Sequence, residues 1–405
     1  MKEKLYIFDT TLRDGAQTYG VDFNVDEKKT LALKLDELGV DYIEGGWPGA
    51  NATDTEFFNE KMKFNKSIFT SFGMTKKSGR SAENDPGLAS LMNADTPSVC
   101  VVGKSWDFHV DVALEISNEE NLENIAQSVN FLSKNNKEVH FDAEHFFDGY
   151  KANSNYAIQC LKAAIDNGAR WVVLCDTNGG TLPHEVENIV SEVVNSIPGE
   201  KLGIHAHNDT GNAVANSLAA VRSGVRQVQG TINGLGERCG NANLISLIPT
   251  FLLKKEYAET YDLSIETEKL DQLTELSRLL DEILNRVPNR TAPYVGSSAF
   301  AHKGGLHVSA VNKNPKTYEH IDPELVGNSR QIIISEQSGK SNIISRLKSA
   351  GINVDEDDKT IQKILDRVKE REFNGYSYDG ADASFEILVK KVLGEMPNFF
   401  EVSNF

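Results

Sequence analysis

Over about the first 255 residues, short apolar runs alternate with segments whose apolar residues recur every three or four positions. Leu31, Leu35 and Leu38 form one such helical face. The strand-like runs are Leu5–Phe8, Tyr42–Glu44, Ile68–Phe72, Val99–Gly103, Val139–Ala143, Trp171–Cys175, Leu202–His205 and Gln227–Thr231. The alternation predicts right-handed βαβ units and a parallel sheet, and eight units in about 250 residues match the size of a closed (β/α)8 TIM barrel.

A doubly wound open sheet is the alternative α/β fold. In an open sheet, the functional polar residues gather at one switch point. Here polar residues follow nearly every predicted strand, and this distribution favours the barrel.

After the barrel, the pattern becomes mainly helical. A leucine-rich helix is predicted over Ile265–Val287, ending at Pro288. Further helical patterns cover Ser341–Ala350, Asp357–Arg371 and Ala381–Leu393. We therefore expect a catalytic barrel over residues 1–256, a helical linker over 257–288, an appendage subdomain over 289–345 and a second helical subdomain over 346–405. The apolar residues Asn398–Phe405 predict the first strand of a further element or a tail packed on the appendage.

Composition and charge narrow the class of protein. The 405 residues are 40% hydrophobic and 25% charged, with a formal net charge of −17. This charge makes general attraction to nucleic acid or anionic membranes unfavourable. The four cysteines form no CxxC pair, and the N-terminus has no signal-peptide pattern. We expect a cytoplasmic protein.

The segment His205-Ala-His207-Asn-Asp follows the seventh predicted strand. Alternate strand residues point to the same side, so both imidazoles would face the barrel axis, where they could bind one metal ion. The other interpretation is a strand with two structural histidines. For His109, His140, His145 and His184, a core or surface role is the simpler interpretation.

Two loops carry further candidate groups. DTTLRDGAQ after the first strand supplies Asp14 as a carboxylate ligand and Arg13 as a permanent cation, although the two could simply form a surface ion pair. GTINGLGERCGNAN after the eighth strand supplies the amide oxygen of Asn241. Its glycine spacing alone is weak evidence for nucleotide binding.

Together these segments resemble the DRE-TIM metallolyase superfamily, and most closely its branch of 2-isopropylmalate, homocitrate and citramalate synthases. The matching text is DTTLRDGAQ, HAHNDTGNAVANSLAAV and GTINGLGERCGNANL. The resemblance implies that Asp14, His205 and His207 bind a divalent metal ion, with Asn241 as a fourth ligand. It leaves Mg²⁺, Mn²⁺, Zn²⁺ and Co²⁺ open.

The resemblance also implies roles for other residues. Arg13 would stabilise charge on oxygen, and Glu144 would help to deprotonate acetyl-CoA. His307 of the appendage would assist catalysis from the neighbouring subunit, which implies a homodimer, and Tyr318 would lie near the site, although either residue could be purely structural. The substrate contacts would be Gln17, Glu44 and Thr177, although Glu44 could instead hold Arg13 in place. Positive charge makes Lys104, Lys76, Lys77 and Arg80 candidate contacts for anionic CoA, and the other interpretation of each is a solvated charged loop.

The segments EGGWPGAN and GKSWDFHV resemble the citramalate synthases of this branch. The implied reaction joins acetyl-CoA, pyruvate and water into citramalate and CoA, on a threonine-independent route to isoleucine. The alternatives are a 2-isopropylmalate synthase using 2-oxoisovalerate, a lyase on the same barrel, and a non-catalytic metal-binding scaffold. The lyases have a differently ordered cysteine loop, so we interpret Cys239 as a loop residue. The regulatory domain of the family is expected to be absent or truncated at Phe405.

Overall fold

The computed structural model of the chain, which describes residues 2–352 and 358–396, contains a closed barrel of eight parallel strands. Neighbouring strands pair in chain order, and the barrel closes where Tyr6 pairs with Gln227. The strands are β1 (Tyr6–Asp9), β2 (Tyr42–Glu44), β3 (Ile68–Met74), β4 (Ser98–Lys104), β5 (Glu138–Glu144), β6 (Trp171–Asp176), β7 (Leu202–Ala206) and β8 (Gln227–Gly230). The predicted TIM barrel is confirmed.

Helices follow the strands and cover the outside of the barrel. Those of the first part of the chain are α1 (Val25–Leu38), α2 (Ala52–Asn59), α3 (Pro86–Asn93), α4 (Asn118–Lys134), α5 (Phe146–Ile165), α6 (Pro183–Val193), α7 (Ala213–Arg222), α8 (Leu244–Leu253), α9 (Lys255–Thr260) and α10 (Leu273–Ile283). Helix α1 begins with a capping box, because the Asn24 side chain accepts from the Glu27 N–H and the Glu27 carboxylate accepts from the Asn24 N–H. A short parallel pairing joins Glu3–Lys4 to Tyr261–Asp262 outside the barrel.

Asp36 of α1 fixes the start of β3. Its buried carboxylate accepts backbone hydrogen bonds of 2.8–2.9 Å from Asn65, Lys66 and Ser67. Burial raises the pKa of Asp36, but these three N–H groups outweigh it and hold the pKa below its ordinary value. The loop before β3 is therefore attached to α1 by a charged group.

Lys28 of α1 fixes the chain after β2. Its side chain is buried, and its ammonium donates to the Gly45 carbonyl at 2.9 Å and to the Asp54 carboxylate. Asp54 also accepts from the Trp47 N–H at 2.8 Å. Burial lowers the pKa of Lys28, although the Asp54 charge opposes that shift. This buried ion pair positions the loop that follows Glu44.

The barrel interior is filled by side chains. A ring layer of Phe8, Tyr42 and His140 lies inside it, with the Tyr42 centroid 5.5 Å from Phe8 and 4.8 Å from His140. All three residues are at most 3% exposed. Asp142 and Glu144 follow His140 on the same face of β5, so the interior becomes polar towards the carboxyl ends of the strands.

The predicted helix over Ile265–Val287 is shorter in the structure. Residues Thr267–Gln272 form 3₁₀ turns, and α10 covers only Leu273–Ile283. Asn285 has a left-handed φ of 49°, which ends the helix before Pro288. Among the described residues, no helix is long and apolar enough to cross a membrane.

The chain divides into two compact units, Met1–Pro288 and Asn289–Phe405. The described part of the second unit contains α11 (Gly305–Lys313), α12 (Lys340–Ser349), α13 (Asp358–Phe373) and α14 (Asp382–Leu393). Its core includes Ile343, Ile364, Val368, Phe385 and Val389. The last three helices lie within two residues of their predicted ends. Asn398–Phe405 lies outside the described residues.

Candidate active site

The turn after β1 places Asp14 at the barrel mouth. The backbone N–H groups of Arg13 and Asp14 donate to the Thr10 carbonyl at 3.2 and 2.9 Å. The Thr11 hydroxyl donates to Asp9 at 2.8 Å and accepts from the Ile232 N–H at 2.9 Å. The threonines of DTTLRDG therefore join the β1 turn to the glycine-rich loop after β8.

Two histidines of β7 and its extension face Asp14. The Nε2 atoms of His205 and His207 are 3.3 Å apart, and they lie 3.1 and 4.0 Å from Asp14 Oδ2. One ligand atom from each of the three residues lies within 4.8 Å of the others, and all three residues are buried. The structure thus brings together the three predicted metal ligands.

The glycine-rich loop adds Asn241 to this group. Asn241 pairs with His207 in an antiparallel bridge, and its Nδ2 donates to Asp14 Oδ2 at 2.7 Å. Its Oδ1 is buried without a hydrogen-bond partner. Gly236, with a φ of 155°, lies against Asn241, and a Cβ there would be 2.8 Å from the Asn241 Cγ. The loop therefore needs glycine to bring Asn241 to the site.

The electrostatics of the cluster suit a cation. Burial raises the pKa of Asp14, but the Arg13 charge and the His205 hydrogen bond outweigh it, so the carboxyl remains ionised far below its ordinary range. Burial lowers the pKa of His207 to about 3, and the charge of His205 adds to that shift. Burial opposes protonation of His205, yet its bond to Asp14 raises the pKa overall. A carboxylate, two imidazoles and an unpartnered amide oxygen fit a divalent metal ion.

Arg13 is fixed beside this cluster. Its Nε donates to Glu44 Oε2 at 2.6 Å, and its guanidinium lies 3.9 Å from the Phe72 ring centroid. Burial raises the pKa of Glu44 to about 7, while the Arg13 charge opposes that shift. The other Glu44 oxygen is buried without a hydrogen-bond partner. In the structure Glu44 contacts Arg13, as expected for the second of its two predicted roles, that of holding Arg13 in place.

Two family descriptions match the chain. Residues 4–279 match the HMGL-like family, and residues 294–374 match the homocitrate synthase post-HMGL domain-like family. The chain belongs to the HMGL-like family.

Five (R)-citramalate synthases are 43–52% identical to this HMGL-like chain over 98–100% of its length. The synthase from Aquifex aeolicus is 52% identical over 99% of this chain and 75% of its own. A 2-isopropylmalate synthase from Sulfurisphaera tokodaii is 35% identical over 96% of each chain. The chain is therefore an enzyme of the DRE-TIM acyltransferase group that includes these synthases.

A solved structure has the same fold at low identity. Hydroxymethylglutaryl-CoA lyase from Pseudomonas aeruginosa is 18% identical, with a TM-score of 0.59, over 71% of this HMGL-like chain and 95% of the lyase. At this level of identity the similarity shows a shared barrel fold and says nothing about a shared reaction.

Glu144 and Lys104 form a pair at the ends of β5 and β4. They are register partners, and the Lys104 ammonium contacts the Glu144 carboxylate. Both side chains are partly exposed, at 23% for Glu144 and 16% for Lys104. Lys104, predicted as a substrate contact, thus forms an ion pair with Glu144, the predicted catalytic base.

The other predicted contacts lie on loops. The Thr177 hydroxyl accepts from the His145 N–H at 2.9 Å, and Gln17 is exposed at the end of a 3₁₀ turn. Lys76 is buried, and its ammonium donates to Asn124 at 2.6 Å and to the Arg80 carbonyl at 3.0 Å. Of the three basic candidates of that loop, Lys77 and Arg80 are exposed.

His307 and Tyr318 lie together in the second unit. Their rings stack with centroids 4.1 Å apart and an interplanar angle of 29°. Both residues are exposed. His302, the less favoured candidate, is buried and bonds to Glu319 at 3.0 Å. The exposed pair, rather than His302, is thus available to another molecule.

The sequence argument missed three residues near the cluster. Arg238 donates to Asp209 at 2.8 and 3.0 Å and to the Thr177 carbonyl at 2.6 Å, an arrangement we call the arginine clasp. Asp142 and Gln229 lie inside the barrel, joined by a 3.1 Å hydrogen bond. Asp142 and Gln229 could have been found from the sequence, because polar residues occupy alternate positions of their strands, in HFDAE and QVQG.

Proposed function

We propose that this enzyme catalyses the metal-dependent condensation of acetyl-CoA with pyruvate and water to give citramalate and CoA. The observation that carries the proposal is the buried group of Asp14, His205 and His207, with Arg13 beside it. Arg13 beside the ligands favours catalysis over a metal-binding scaffold, because a scaffold needs the ligands but has no use for a buried cation next to them.

Arg13 supplies positive charge where a reacting oxygen develops negative charge. A divalent cation held by Asp14, His205 and His207 would supply a Lewis acid and a template for the 2-oxo acid. Arg13 is kept in place by Glu44 and Phe72, so its guanidinium is oriented before a substrate arrives. Thr177, in the turn after β6, is the proposed contact of the substrate carboxylate, and Gln17, in the turn after β1, would help to orient the substrates.

Glu144 is the proposed base that removes a proton from the acetyl methyl group. The Lys104 ammonium holds its carboxylate at the end of β5. The methyl group is a weak carbon acid, so a base fixed near the proton is worth about 10²–10⁴ in rate. The resulting enolate attacks the keto carbon of pyruvate, whose oxygen takes up a proton to become a hydroxyl, and water then cleaves the thioester to give a carboxylate and the free thiol of CoA.

Pyruvate is proposed as the oxo acid because the citramalate synthases are 43–52% identical to this chain, against 35–37% for the 2-isopropylmalate synthases. The product would serve the threonine-independent synthesis of isoleucine.

Release of free thiol from acetyl-CoA tests the function. Purified protein with Mg²⁺ or Mn²⁺ is assayed with pyruvate, 2-oxoisovalerate and 2-oxoglutarate, and the product is identified by mass spectrometry. Citramalate from pyruvate supports the proposal, and Glu144→Gln should lower its rate by about 10²–10⁴. A preference for 2-oxoisovalerate would instead identify a 2-isopropylmalate synthase. No thiol release with any oxo acid would refute catalysis.

His307 and Tyr318 are proposed to act on the barrel of a second copy in a homodimer. Their exposure and stacking support this role. Equimolar mixing of Glu144→Ala and His307→Ala chains should then restore part of the activity, because each mixed dimer forms one intact site whereas dimers of either variant alone form none. Activity that stays at the level of the separate variants would refute action between subunits.

A further inference from the structure

A line of three polar side chains crosses the barrel interior beside the metal-ligand cluster. Gln229 Oε1 lies 2.8 Å from His205 Nδ1, and Gln229 Nε2 lies 3.1 Å from Asp142 Oδ1. His205 and Gln229 are register partners on β7 and β8, while Asp142 comes from β5 across the barrel. All three residues are at most 5% exposed.

The direction of the hydrogen bonds follows from Asp142. A carboxylate only accepts, so the amide nitrogen of Gln229 faces Asp142 and its oxygen faces His205. The amide oxygen also only accepts, so Nδ1 of His205 carries the proton. In the neutral ring that binds a cation, the other nitrogen, Nε2, therefore has the free lone pair, and it is the atom that faces Asp14 and His207.

We propose that Gln229, oriented by Asp142, is a positioning residue that fixes the tautomer and ring orientation of His205 for cation binding. The inference rests on the metal site of the proposed function. Partners on the far nitrogen of a metal-binding imidazole are worth about 10- to 100-fold in metal affinity.

The same strand offers a matched control. Gln227 lies two residues earlier on β8, on the same face, and is equally buried. Its Nε2 lies 3.3 Å from Nδ1 of His140, which is not one of the clustered ligands. Replacing Gln227 therefore perturbs the barrel interior to a similar extent without touching His205.

Mn²⁺ titration by calorimetry, without substrates, tests the proposal. Gln229→Met keeps the side-chain volume but removes both the acceptor for His205 and the donor to Asp142, and it should weaken Mn²⁺ binding by about 10- to 100-fold. Gln227→Met should leave the affinity within about threefold of the parent protein. Equal affinity in Gln229→Met and the parent would overturn the proposal, and so would an equal loss in both variants.

The tautomer itself is read from ¹⁵N-histidine NMR of the parent protein with Zn²⁺. The His205 signals should show a protonated Nδ1 and a metal-bound Nε2, and the opposite assignment would overturn the proposal even if Gln229→Met fails to fold. A parent protein that binds no metal ion would refute the proposed function instead, so the two failures are distinguishable.

Discussion

The arginine clasp permits a quantitative prediction about the glycine-rich loop. Arg238 holds Asp209 through two hydrogen bonds and the Thr177 carbonyl through a third, and it lies three residues before Asn241. Its side chain is 41% exposed, so the ion pair is worth at most about 1 kcal/mol after solvent screening. The bond to the carbonyl adds about 1 kcal/mol. Arg238→Ala should therefore destabilise the ordered loop by about 2 kcal/mol, which corresponds to about 30-fold in an equilibrium constant.

The assay is the Mn²⁺ dissociation constant, measured together with the unfolding temperature. If the ordered loop is needed to present Asn241, Arg238→Ala should raise the constant by about 10- to 30-fold with little change in global unfolding. Arg222→Ala is the control, because Arg222 is also exposed and lies 4.0 Å from Glu187 on the outer helices. A dissociation constant for Arg238→Ala within twofold of the control would refute the reasoning.

Three further outcomes follow from the buried charges. Asp36→Asn should lower the unfolding free energy by about 1–3 kcal/mol at pH 7, because backbone donors lose their charged acceptor. The folded-state pKa of Asp36 is depressed, so this difference should shrink as pH falls below about 4, and a pH-independent difference in urea titrations would contradict it. Lys28→Met leaves the Asp54 carboxylate buried without its ammonium and should cost about 3–5 kcal/mol in the same titrations, whereas Lys29→Met at the surface should cost less than about 1 kcal/mol. Mn²⁺ at a hundred times its dissociation constant should stabilise the protein by about 2.7 kcal/mol in thermal unfolding, and an unchanged shift in Asp14→Asn would refute the ligand assignment.

Most strands of the barrel could be predicted because they are buried on both faces and read as short apolar runs. Trp171–Cys175, for example, was predicted one residue short of β6. The helix after the barrel was predicted too long. Leucine spacing does not distinguish 3₁₀ turns from an α-helix, and the left-handed Asn285 ends α10 without a glycine signal.

The metal-ligand cluster could be predicted from the sequence, because alternate strand residues share a face and the motifs that contain Asp14, His205 and Asn241 each lie at the end of a strand. The contact of Lys104 with Glu144 was not, because it depends on the register of β4 against β5. Arg238 required the fold of the glycine-rich loop, since its partners come from two other loops distant in the chain.

The ring layer of Phe8, Tyr42 and His140 affects how solvent enters the enzyme. Packed rings at most 3% exposed leave no wet passage through that level of the described barrel. The proposed reaction consumes one water molecule in each turnover. That molecule therefore has to enter at the carboxyl ends of the strands, through the same opening by which both substrates enter and CoA leaves.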